Sequence, residues 1–107
     1  MLIIFTATAE ADLENIADHI AAYNPSRALS FISELRSVVM NLATFPNAYP
    51  IIPRYELHGV RRKTYQDYLI FYVAEPNRLS ILHILHGAQD YEAILCPDSL
   101  NDNSKED

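Results

Sequence analysis

Two segments of helical apolar periodicity meet at Asn24-Pro25, and at Val60 the period changes to that of a strand. No other feature restricts the fold of this chain as much. Before the break, Leu13, Ile16, Ala17 and Ile20 recur at the spacing of one helix face. After it, Ala28, Phe31, Ile32, Leu35, Val38, Val39 and Leu42 make a wider stripe on a second helix. Asn24 suits an N-cap, and proline at the first helical position costs no hydrogen bond. Phe45-Pro46 closes the second helix, and so short a joint at Asn24-Pro25 folds the two helices back to back as an antiparallel hairpin. Thr8 is expected to cap the first helix, with Glu10 and Asp12 near the positive end of its dipole.

Leu2 to Phe5 reads as a short strand ahead of the hairpin. The stretch 46–59 holds three prolines and no clear period, so it reads as a loop. Its Tyr49, Ile51, Ile52 and Tyr55 suit a loop packed onto the body. Val60–Tyr65, Leu69–Val73 and Leu79–His86 read as three strands, with turns at Gln66-Asp67 and at Glu75-Pro76-Asn77-Arg78. Links this short make neighbouring strands antiparallel. The expected fold is α+β, in the order β-α-α-β-β-β, with a helical hairpin packed on one face of an antiparallel sheet. A length of 107 residues suits one domain, taken as 1–97 and ending in a helical turn over Asp90 to Leu95. The polar segment 98–107 is expected to be a flexible acidic tail.

Charge narrows the function. The net charge is −6. Asp98, Asp102, Glu106 and Asp107 against Lys105 put −3 in the tail, which leaves −3 on the body. An acidic body argues against a direct nucleic-acid binder. No apolar run is long enough to span a membrane, and the apolar start Met1 to Phe5 has neither the length nor the basic leader of a signal peptide. With Cys96 the single cysteine, the expected setting is the reducing cytoplasm. No metal-ligand spacing, phosphate-cradling glycine loop or nucleophile elbow is found, so no metal or cofactor is expected.

Five local patterns, in order, carry a resemblance. They are Ala9-Glu10-Ala11-Asp12-Leu13-Glu14-Asn15-Ile16, Leu42-Ala43-Thr44-Phe45-Pro46, Gly59-Val60-Arg61-Arg62, Tyr68-Leu69-Ile70-Phe71-Tyr72 and Ile84-Leu85-His86-Gly87-Ala88-Gln89-Asp90. Together they resemble the ParE/RelE toxin superfamily, and ParE toxins most closely, from Leu2 to about Leu95. Two positions depart from the family pattern: His83 and Gln89 stand where relatives often carry arginine.

The resemblance implies the toxin of a bacterial type II toxin–antitoxin pair, a DNA gyrase inhibitor held in a hetero-oligomeric complex by its antitoxin. The alternative within the superfamily is a ribosome-dependent mRNA endoribonuclease. That chemistry requires cations for the phosphorane charge and groups to move protons, for which the chain offers Arg61, Arg62, His83, His86 and Tyr91. Strand alternation sets Arg61 and Lys63 on one face and Arg62 on the other, and it separates His83 from His86. These side chains equally suit a solvated strand edge and core packing. A third reading is a toxin fold kept as an inactive binding module. For the antitoxin contact, the candidate anchors are exposed members of the set Leu13, Ile16, Ile20, Phe31, Leu35 and Val38.

Overall fold

The computed structural model describes residues 1–87, 89 and 91–95, with the backbone alone for 92 and 93. Strand β1 (Leu2–Phe5) runs into helix α1 (Ala7–Ala21). The cap between them is Thr6, not Thr8: its Oγ1 accepts the Ala9 N–H at 3.1 Å. The choice is tertiary. The Thr6 N–H donates to the Ile81 carbonyl at 3.1 Å and its hydroxyl reaches the same oxygen at 3.0 Å, while Thr8 faces solvent. Helix α2 (Pro25–Thr44) starts as its sequence dictates, with Asn24 Oδ1 accepting the Arg27 N–H at 3.1 Å and Pro25 in the first turn.

Strands β2 (Val60–Tyr65), β3 (Tyr68–Ala74) and β4 (Arg78–His86) form the antiparallel meander, and the short helix α3 (Tyr91–Leu95) follows. The sheet is mixed, in the order β1-β4-β3-β2, because β1 joins β4 in parallel register, Leu2 opposite Arg78. A parallel neighbour needs a long crossover. Here it comprises the helical hairpin, which delivers the chain to β2 at the far edge, and the β2–β3 pair, which leads back to β4 beside β1. Gln66 has φ +52 at the first central position of the two-residue β2–β3 turn, where a type II′ turn carries positive φ.

The core has two sides. Leu13, Ile16, Phe31, Leu35, Val39 and Leu42 of the hairpin pack on the sheet face that presents Ile70, Tyr72 and Ile81. The other face is covered by the 50–59 loop and α3, through Ile52, Tyr55 and Leu95 against Val60, Phe71 and Leu85. That loop is packed as expected. It contains one 3₁₀ turn, Glu56–His58, and leaves Leu57 fully exposed at its tip. The register shifts between Phe71 and Tyr72, which pair with His83 and Ile81, so Leu82 is bulged out. Among the described residues no helix is long and apolar enough to cross a membrane. The expected tail, 98–107, lies outside the described residues, as does Cys96.

Candidate functional site

The bulge at Leu82 overturns the strand alternation assumed for the two histidines. His83 donates from Nδ1 to Asp12 Oδ2 at 2.8 Å, and His86 lines the same cavity as Asp12, so both turn towards α1. The Asp12 oxygen also accepts the Ile84 N–H at 2.9 Å. Its position explains the double use. β1 stops at Phe5, opposite Ile81, and the next stretch of β4 edge would otherwise present an unpaired amide. Asp12 therefore serves the sheet edge rather than the helix dipole.

The cavity beside it, about 320 Å³, is walled by Asp12, Asn15, Ile16, His19, Tyr68 and His86. His86 meets the Tyr68 ring edge-on at 5.3 Å, and His19 meets Tyr23 at 5.8 Å. His19 carried no pattern in the sequence; only the packing of α1 against β4 brings it near His86. Among the described residues no group of three or more His, Cys, Asp or Glu could hold a metal ion.

The three cations of β2 part as alternation requires. Arg61 donates to the carbonyl of Tyr49 at 2.6 Å and points to the hairpin side, where Lys63 stands 4.6 Å over the Tyr49 ring. Arg62 points to the other face and donates to the Tyr91 hydroxyl at 3.3 Å, with Tyr91 stacked against Phe71 at 5.1 Å. Of the five groups a nuclease would use, Arg62 and Tyr91 are brought together. Arg61 is held by backbone carbonyl oxygen, and the histidines gather at α1.

A second cavity of about 320 Å³ lies between α2 and β2, walled by Val38, Leu42, Phe45, Tyr49, Lys63 and Tyr65. Its lining is mostly apolar, and Phe45 at its rim is 67% exposed. Behind it, Glu34 accepts from Tyr65 at 2.6 Å and pairs with Arg27 at 2.7 Å. Arg27 first, and Tyr65 second, hold the Glu34 carboxyl below its ordinary range, and Glu34 in turn raises the Tyr65 phenol. Burial raises Tyr72, with Arg61 opposing.

Of the six hairpin residues considered for a partner contact, Leu13, Ile16, Phe31 and Leu35 are buried in the core, and Ile20 and Val38 reach the surface in part. Two residues with large exposed apolar area, Phe45 and Leu57, lie at a helix end and at a loop tip. Helical periodicity carries no signal for those places.

Residues 3–91 match the family model described as the ParE toxin of type II toxin–antitoxin system, parDE. Among solved structures, the chain is similar to one described as the chromosomal ParDE TA system from P. aeruginosa. The two share 27% identity and a TM-score of 0.69, over 80% of this chain and 95% of that one. No curated protein sequence matches.

Proposed function

The chain belongs to the ParE toxin family of type II toxin–antitoxin systems, and from that premise we propose that it inhibits DNA gyrase, stalling the enzyme with DNA cleaved, until a cognate antitoxin captures it. The observation that favours this over RNA cleavage is the dispersal of the proton-moving groups. Cleavage needs a base, a cation and an acid around one phosphate. Arg62 and Tyr91 meet, but Arg62, Phe71 and His83 are register partners across three strands. The Cα atoms of Arg62 and His83 are thus two strand spacings apart, about 10 Å. The His83 Nδ1 is also committed to Asp12. An acidic body suits a protein target better than a phosphate backbone.

In this reading the antitoxin binds through a segment that orders on the toxin surface. Its contacts include Ile20 and Val38, the two hairpin residues of the original set that reach the surface. Action on gyrase calls for a chain that works in the cytoplasm.

The test is a supercoiling reaction with purified gyrase and relaxed plasmid, quenched with detergent and protease. Linear DNA should accumulate with added chain and vanish when the antitoxin is supplied first. Intact DNA at a several-fold excess over gyrase, together with cut mRNA in a translating extract, would move the activity to the ribosome.

A further inference from the structure

On the sheet face opposite the hairpin, the loop that carries Leu57 is firmly held. The segment 52–60 closes on itself: the Ile52 N–H donates to the Val60 carbonyl at 2.9 Å, and the Val60 N–H donates to the Tyr55 carbonyl at 3.4 Å. Within that closure the amides of Tyr55, His58 and Gly59 donate to the carbonyls of Ile52, Tyr55 and Glu56. Ile52 and Tyr55 are buried in one cluster with Val60, Phe71 and Leu95, and so pin the loop to the sheet and to α3. Compact loops closed at their ends and packed by their own side chains are frequently functional.

One exposed leucine is ordinary on a protein surface. This one differs in its support. Arg54 has φ +75 and Gly59 has φ +67, so the chain passes through the left-handed region on both sides of the 3₁₀ turn. That conformation is costly at Arg54, where glycine would adopt it freely. Backbone strain of this type clusters at binding sites, and here it belongs to the turn that holds Leu57 outward. A side chain presented on a pinned loop loses little freedom when a partner closes on it.

Charge selects the partner. Residues 54–63 carry Arg54, Arg61, Arg62 and Lys63 against Glu56, a balance of +3, so everything outside that segment sums to −9. A surface of phosphates attracts the segment but repels the rest of the chain. A protein pocket with an apolar floor and carboxylates at its rim attracts the segment without an extended negative field. The antitoxin contacts proposed above lie on the hairpin, across the sheet from this loop, which leaves the loop to the target.

Resting on the gyrase reading above, we propose that Leu57 is the anchor through which the chain holds gyrase. It seats in an apolar pocket of that enzyme whose rim carries carboxylates facing the 54–63 segment.

The test measures binding of the full chain to immobilised purified gyrase, and linear DNA in the supercoiling reaction, for the parent and for Leu57→Ser, Leu57→Met and Arg54→Asn. Leu57 is fully exposed, so thermal melts of its variants are expected to match the parent. Leu57→Ser should weaken gyrase binding about tenfold or more, and raise by the same factor the concentration that gives half-maximal linear DNA. Leu57→Met keeps an apolar anchor of similar volume and should stay near the parent. Arg54→Asn, which removes a cation while tolerating the left-handed backbone, should slow association roughly threefold. Affinity for the full-length antitoxin, read by calorimetry, should be unchanged in all three. Parent-like gyrase binding and DNA cleavage by Leu57→Ser would overturn the anchor and leave the gyrase reading standing. A parent chain that neither binds nor poisons gyrase would overturn both. Three further results would each refute the proposal. Loss of antitoxin affinity in Leu57→Ser would give the loop to the antitoxin, and loss of binding to naked plasmid would give it to DNA. A parent dimer made monomeric by Leu57→Ser would give it to a second copy.

Discussion

Asp12→Ala removes an oxygen shared by two donors, the Nδ1 of His83 and the N–H of Ile84. A hydrogen bond to a charged group contributes about 1.5–3 kcal/mol, and a donor left unsatisfied costs about 1–3 kcal/mol. The side chains of His83 and Asp12 are 19% and 16% exposed, so water can satisfy part of what is lost. The expected loss is therefore near the lower end for two bonds, about 2–4 kcal/mol. For a domain of this size that corresponds to a fall of roughly 10–20 °C in Tm. Asp12→Asn keeps one acceptor and should lose about half as much. His83→Ala combined with Asp12→Ala should show a coupling of about 1 kcal/mol in a double-mutant cycle. Urea denaturation followed by circular dichroism measures all three. If Asp12→Ala lies within about 0.5 kcal/mol of the parent, as an ordinary surface change would, then Asp12 does not hold the β4 edge and the reasoning fails.

Other outcomes follow from the packing. Glu34 has its carboxyl lowered by Arg27 and then Tyr65, so its stabilisation is present above the ordinary glutamate value of 4.5 and is lost as pH falls through the lower folded-state value. Melts of the parent and Glu34→Gln from pH 6 to about pH 3 should converge at the acid end; parallel curves would contradict this. Gln66→Gly relieves a positive φ at the position where a type II′ turn prefers glycine, and it should raise stability by about 0.5–1 kcal/mol in the same urea assay. Leu35→Ala should cost about 3 kcal/mol because Leu35 is buried in the core, whereas Val38→Ser should cost less than about half of that yet weaken antitoxin binding. A destabilised Val38→Ser with parent-like binding would return Val38 to the core.

Local signals were legible in the sequence, and long-range ones were not. The hairpin joint was written in Asn24 and Pro25, whose side chain and ring act on the next turn alone. The strand span Val60–Tyr65 followed from composition and bounding turns. Thr6 and Thr8 are equal as caps in isolation, and Ile81, far along the chain, decides between them. The parallel β1–β4 pairing is likewise a decision made between distant segments. The bulge at Leu82 leaves no mark on an otherwise regular alternation, which sets the histidines of β4 on opposite faces, so the turn of both towards α1 and the cavity that His86 lines were invisible. The groove beside β2 was half legible. Val38 and Lys63 were both noted, but the exposed Phe45 depends on how the 46–52 segment crosses the edge.

The β1–β4 pairing also sets a timetable. Thr6 bonds a residue 76 positions away, and Asp12 bonds one 71 positions away. Contacts of that separation close late, because the chain between them must first be gathered. On a ribosome adding about 5–20 residues per second, the opening strand waits several seconds for its partner to be made. Throughout that interval the nascent chain has the sequence of a toxin without its architecture. An antitoxin synthesised alongside it therefore has those seconds before there is a finished toxin to intercept.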